Sequence, residues 1–289
     1  MNPISLINGD FKNEISVFDR GLAYGDGFFE TMFWKSKTNV NNNFLGVEFW
    51  DRHLTRICQG CKKLKINIPS KKILNGYKNS ILNKALESGF DCGTLKLIVT
   101  RGIGGRGYKF DKNMKPTVIM IVFPKTKQPF RIEQGVELRF CKSEISLNKN
   151  FSGFKHLNRI DSVFARSEWS NPNVFEGLVF DNENNVVEGT MTNIFFIKEK
   201  TLYTPELVTC GINGIMRQVI IDNHSIFFDD LKIIKIKKNQ IFQFDQSFLT
   251  NSLIRVAPVS KINRKDFEIQ SNLRKIMHYF NLDKNLEIK

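Results

Sequence analysis

The stretch Arg101–Phe110, RGIGGRGYKF, sets four glycines beside two arginines. Within it, GIGGRG satisfies G-x-G-x-x-G and follows a strand-like run, TLKLIVT. A dinucleotide site needs a helix directly after the last glycine, because the pyrophosphate rests on that helix's N-terminus. Here Gly107 leads into YKFDKNMKP, where Pro116 precludes a continuing helix. The pattern therefore does not mark a nucleotide loop. A plain turn between antiparallel strands remains open, but two arginines and four glycines suit another chemistry. Planar guanidinium forks recognise carboxylates, and glycines let a backbone approach a ligand closely. Cys58 and Cys61 form one C-x-x-C with no second pair. Positions three apart share a helix face, so packing is the reading and no metal is expected.

Those residues need elements to carry them. In VEFWDRHLTRICQGCKKL the apolar positions Val47, Trp50, Leu54, Ile57, Cys61 and Leu64 alternate steps of three and four, which predicts an amphipathic helix. A second helix is expected from Ser70 to near Gly89. SLINGDFKNEIS reads as a hairpin turning at Asn8-Gly9, and FFETMFWK, TLKLIVT and PTVIMIVF read as strands. PKTKQPFRIEQG has two prolines and no periodicity, so it serves as a boundary. Beyond it, VELRFC is a strand and DSVFARSEWS a helix. Hairpins are expected around Asn182–Asn185 and Glu199-Lys200, a helix from IMRQVIIDN, strands in SFLTNSLIRVAPVSKI, and a helix in SNLRKIMHYFNL. The mixture predicts an α+β or mixed α/β fold in two layers. Domains are expected over 1–124 and 135–289, joined by a linker over 125–134.

Bulk properties bound the function. The chain has 289 residues, 41% of them hydrophobic, enough for a sizeable core. The formal charge is +14, but the lysines are scattered, and Lys232–Lys238 alternates with isoleucines like one face of a strand. That argues against nucleic acid and for a background field that attracts small anions. Five cysteines, odd in number and widely spaced, do not make a disulfide framework. No apolar run approaches the ~20 residues of a membrane span, and no signal peptide is evident, so a cytoplasmic protein is expected.

The segments DRGLAYGDGFFET, HLTR, TRGIGGRGY, KHLNRIDSVFAR, NVVEGTMTNIFF, LYTPELVTCGINGIMRQ and TNSLIRVAPV occur in this order. Together they resemble the fold-type IV pyridoxal-phosphate enzymes, the class IV branched-chain and D-amino-acid aminotransferase family. The likeness runs from about Ile7 to Ile262. It implies a two-domain fold, a homodimer and pyridoxal 5'-phosphate as cofactor. RGIGGRGY, KHLNR and CGINGIMRQ resemble the lyases of that family most. They imply conversion of 4-amino-4-deoxychorismate to 4-aminobenzoate and pyruvate, a step of folate biosynthesis; transamination on the same fold is the alternative.

By this resemblance Lys155, in GFKHLNR, is the Schiff-base lysine, carried by the larger C-terminal domain. Taken alone it reads as a surface cation, although the apolar Phe154 precedes it. Glu188, in VVEG, would face the pyridine nitrogen and keep it protonated, so that the ring can accept electrons. The phosphate would meet Arg56, the backbone amides of Ile215 and Met216, Ser252 and the adjacent Asn251. Thr192 would line the cofactor. The substrate carries two carboxylates, for which Arg101, Arg106 and Tyr108 are candidates, with Arg159 and the Thr31 hydroxyl also in reach. A salt bridge is an equal reading for Arg159. His156 neighbours Lys155, but in an extended segment it points the other way.

Overall fold

The computed structural model describes residues 2–39, 42–125 and 132–281. The described residues form two units, one of residues 2–39 and 42–125 with Phe154–Asn158, the other of residues 132–153 and 159–281.

The first unit contains β1 (Ile4–Ile7), α1 (Arg20–Tyr24), β2 (Gly27–Asn39), β3 (Asn42–Val47), α2 (Trp50–Leu64), α3 (Lys71–Glu87), β4 (Cys92–Thr100) and β5 (Thr117–Pro124). The strands form one antiparallel sheet in the order β1-β5-β4-β2-β3. Alternation places Phe28, Glu30, Met32 and Trp34 of β2 on one face, and all four are buried. The apolar stripe of α2, Trp50, Leu54, Ile57 and Cys61, is buried, and α2 packs against β2. Helix α3 starts where the sequence predicts, with the Ser70 hydroxyl accepting from the Ile73 N–H at 3.4 Å. The Asn8-Gly9 turn is present, with φ of 53° and 95°. The hairpin expected there stops at the single pair Ile7–Asp10. Leu6 and Ile7 are buried and pair instead with apolar β5, which the polar run Lys12–Glu14 could not replace.

The second unit contains β6 (Val136–Glu144), α4 (Ile160–Arg166), β7 (Val174–Phe180), β8 (Val186–Gly189), β9 (Asn193–Lys198), β10 (Thr201–Pro205), α5 (Ile215–Asp222), β11 (Asp230–Ile234), β12 (Gln246–Asn251), β13 (Arg255–Ile262), β14 (Lys265–Asp266) and α6 (Ser271–Asn281). Its mixed sheet runs β11-β10-β9-β12-β13-β6-β7-β8, with β14 paired to β13. Leu178, Ile194, Phe196, Leu249, Ala257 and Val259 fill its core. The two expected hairpins turn at Asn184 and Glu199, both with positive φ.

Residues 126–131 of the expected linker lie outside the described residues. The expectation that Lys155 belongs to the C-terminal domain is corrected: Phe154–Asn158 groups with the first unit. The reason is backbone pairing with β2. The Phe29 N–H donates to the Lys155 carbonyl at 2.9 Å, and the Leu157 N–H donates to the Gly27 carbonyl at 3.0 Å. Among the described residues no helix is long and apolar enough to cross a membrane.

Candidate active site

In the first unit, pairing with β2 fixes the backbone around Lys155. Its side chain is half-buried, with Nζ 4.6 Å from the centre of the Phe29 ring. Phe154, one residue earlier, packs edge-on against Phe28 at 6.0 Å. His156 pairs with Phe28 through the backbone.

The same unit holds a buried ionic cluster. Arg56 Nε donates to Glu30 Oε1 at 2.7 Å and Nη2 to Oε2 at 2.5 Å, while His53 Nδ1 lies 2.6 Å from Oε2. Burial alone would raise the Glu30 carboxyl, but Arg56 and His53 outweigh it and hold it at about 2. Burial, helped by the positive charges of Arg56 and Lys155, lowers the His53 imidazole despite Glu30. A neutral His53 donating its Nδ1–H to Glu30 fits both directions. The sequence reading passed over Glu30 as a partner. Its signal was a carboxylate on the apolar face of a strand, level with Phe28 and Met32.

The glycine loop has a locked base and an open tip. Arg101 is buried, and four of its five N–H groups are engaged: two with Asp26 at 2.7 and 2.9 Å, and two with the carbonyls of Leu64 and Lys65. Its guanidinium also stacks 3.7 Å from the centre of the Phe110 ring. The expectation that Arg101 meets a substrate carboxylate is therefore corrected: its fork is taken up by Asp26 and by the last carbonyls of α2. Arg20 shares Asp26 and donates to the carbonyls of Gly107 and Tyr108, which ties down the return of the loop. Gly102 has φ +91°, and a Cβ there would run into the Lys115 carbonyl, so glycine is required. Arg106 and Tyr108 stand exposed, and Arg106 has no ion pair among the described residues. The Tyr108 ring lies edge-on to Tyr24. Thr31 is half-buried on β2, opposite Lys96.

In the second unit, Glu188 is the next-to-last residue of β8 and is buried. Its Oε2 accepts the Ile212 N–H at 2.9 Å and faces Asn193 Nδ2 at 3.4 Å. The turn after Ile212 opens α5 at Gly214, with no side chain capping the helix. First-turn amides have no intrahelical acceptor, so those of Ile215 and Met216 are available to an anion. Burial lowers the Arg159 guanidinium, and the negative charges of Glu188 and Asp161 oppose that.

Two residues expected near the cofactor have local partners. Thr192 is buried and its hydroxyl donates to Glu176 Oε2 at 3.1 Å. Asn251 accepts the N–H groups of Leu253 and Ile254 and donates to the Met191 carbonyl, so its amide holds a turn. Both are held by local hydrogen bonds that sequence spacing does not reveal. Ser252 stands half-buried in that same turn.

Glu176 was also missed. It is fully buried and accepts from the N–H groups of Gly177, Thr190 and Met191 and the hydroxyls of Thr190 and Thr192. Burial raises its carboxyl, against those five donors. A lone charge inside the apolar run VFEGLVF was the available signal.

Each unit by itself holds groups that suit a phosphorylated pyridine aldehyde: the first an amine, the second a buried carboxylate and helix-start amides. The chain is 28% identical over 281 residues to the aminodeoxychorismate lyase of Vibrio harveyi, covering 95% of this chain and 98% of that one. It is 33% identical to the crystal structure of 4-amino-4-deoxychorismate lyase from Pseudomonas aeruginosa, with a TM-score of 0.86 and coverage of 97% and 99%. A D-alanine aminotransferase of Bacillus licheniformis is 23% identical, over 86% of this chain and 83% of its own. The family model for amino-transferase class IV matches residues 27–262. The strands, helices and turns described above thus form a fold-type IV architecture, and the chain belongs to the class IV aminotransferase family.

Proposed function

We propose that this protein is a pyridoxal-phosphate-dependent lyase that converts 4-amino-4-deoxychorismate to 4-aminobenzoate and pyruvate, acting in the cytoplasm on the route to folate. The near-full-length likeness to the Pseudomonas lyase carries the reading. Pyridoxal 5'-phosphate supplies an electron sink for a carbanion next to the substrate nitrogen. Lys155 would hold the cofactor aldehyde through its amine, and as a free amine it would take the proton from the amine-bearing ring carbon. Proton transfer by a positioned group is worth about 10²–10⁴ in rate. Glu188 would face the pyridine nitrogen and keep its proton in place. The amides of Ile215 and Met216 take the phosphate, with the Ser252 hydroxyl and with Arg56, whose other edge Glu30 holds.

Arg106 and Tyr108 receive a substrate carboxylate at the loop tip, with Arg159 and Thr31 as further contacts. As the proton leaves, the carbon–oxygen bond to the enolpyruvyl group breaks and the ring becomes aromatic. The expelled group takes up a proton as pyruvate. The test supplies 4-amino-4-deoxychorismate without any 2-oxo acid. Pyruvate and 4-aminobenzoate should appear together. Failure to form pyruvate, with transamination of D-alanine or a branched-chain amino acid, would replace this reading with the aminotransferase one that the Bacillus relative favours.

The protein works as a homodimer. Val17, Phe18, Leu22 and Ile103 are exposed around the Asp19–Ile103 backbone pair, an apolar surface of the kind that a second copy covers. Sedimentation should give twice the 33.5 kDa chain mass. A monomer at micromolar concentration would remove this part.

A further inference from the structure

Asn193 is buried at the first position of β9, where pairing with Thr250 of β12 fixes its backbone. Its amide is used on both sides. Nδ2 donates to the Ile212 carbonyl at 2.8 Å and faces Glu188 Oε2 at 3.4 Å, and Oδ1 accepts the Gly214 N–H at 3.1 Å. The Ile212 N–H meanwhile donates to that same Glu188 oxygen at 2.9 Å. The turn is fastened further by the Asn213 N–H on the Gly153 carbonyl and by Arg217 on the Asn213 side chain. One amide therefore grips both ends of the Ile212–Gly214 turn and touches the carboxylate beside it. Gly214 fits this role, because a Cβ there would run into Asn193 Oδ1.

We propose that Asn193 is a positioning residue that fixes Glu188 and the amide end of α5 as one rigid unit. This rests on the reading that Glu188 meets the ring nitrogen and that α5 takes the phosphate. Two contacts to one small cofactor bind best when their spacing is set before the ligand arrives. Without Asn193 the Gly214 end of the turn would lose this tether, and the Ile212 N–H would be left to tie the turn to Glu188. Asn193 removes that freedom. An aspartate would lack the donor for the Ile212 carbonyl and would set a second carboxylate against Glu188, so the amide type is required.

The test uses the full chain with Asn193→Ala and, from the other side of the contact, Gly214→Ala. In both, hydrogen exchange at the Ile212 and Gly214 amides should speed up at least about tenfold while the β9 and β12 amides stay protected, as loss of one buried hydrogen bond predicts. Affinity for pyridoxal 5'-phosphate, titrated by visible absorbance, should fall by about tenfold or more. Glu188→Gln should then cost less in the Asn193→Ala background than in the native one, since the two act as a unit. Unchanged exchange at Ile212 and Gly214, or losses that simply add, would overturn the coupling. Glu188→Gln alone tests the reading beneath it. Native cofactor affinity in that variant would remove the assigned role of Glu188 and the proposal with it.

Discussion

Glu30 in the first unit and Glu176 in the second are both buried carboxylates, yet their surroundings act in opposite directions. Glu30 is met by Arg56 and His53, and its carboxyl is held at about 2. Glu176 is met by three backbone N–H groups and two threonine hydroxyls, and burial raises its carboxyl. Burial is nearly complete in both, so it does not distinguish them. The formal charge of the partners does. A cation beside a buried carboxylate offsets its lost hydration, whereas neutral dipoles offset only part of it. Asp26 is met in the same way as Glu30, by the cations Arg20 and Arg101.

The largest effect should come from breaking the ionic side of this contrast. Glu30→Gln leaves Arg56 buried without its counter-charge and His53 without its carboxylate acceptor, and should cost about 3–5 kcal/mol in urea unfolding. A loss under about 1 kcal/mol would erase the distinction between the two carboxylates. The penalty also has a sign in pH. The folded Glu30 carboxyl lies below its ordinary 4.5, so its contribution is full above 4.5 and is lost as pH falls toward about 2. The Glu30→Gln penalty should therefore shrink on acidification through that window.

Glu176→Gln should cost less, about 1–3 kcal/mol, by turning an amide N–H₂ toward donors. Its pH slope should be opposite. A carboxyl raised from 4.5 contributes fully below 4.5, and that contribution is lost as pH rises through its folded value. The penalty should thus be larger at pH 4.5 than at pH 7, and equal slopes for the two variants would break the comparison. The smallest stability effect belongs to Arg106→Ala at the exposed loop tip, within about 0.5 kcal/mol. That variant should instead raise KM for the dicarboxylate substrate and leave cofactor uptake intact. Loss of the cofactor spectrum with native KM would take the loop away from the substrate.

Local pattern was legible where neighbours in sequence are neighbours in space. The three-and-four spacing marked α2, Ser70 marked the start of α3, and Pro116 ruled out a nucleotide loop. Asn184 and Glu199 lie at the turns expected of them. The side-chain pairings were not legible, because their partners are far apart along the chain. Arg101 and Asp26 are separated by 75 residues, and Arg56 and Glu30 by 26. Two arginines in one glycine loop looked equivalent, yet one is buried in the fold and the other reaches solvent. The anomalies were visible without their meaning: Glu30 on an apolar strand face, and Glu176 within VFEGLVF.

The sequence by itself determined the elements, the family likeness and the chemical inventory of lysine, carboxylate, helix amides and arginines. Periodicity and turn chemistry act over a few residues, and an ordered set of motifs needs no coordinates. Only the tertiary structure decided which of those groups are already engaged. It committed Arg101 to Asp26, Thr192 to Glu176 and Asn251 to a turn, and it joined the Lys155 segment to β2. A buried polar group must find a partner wherever the fold supplies one, and that partner can lie anywhere in the chain.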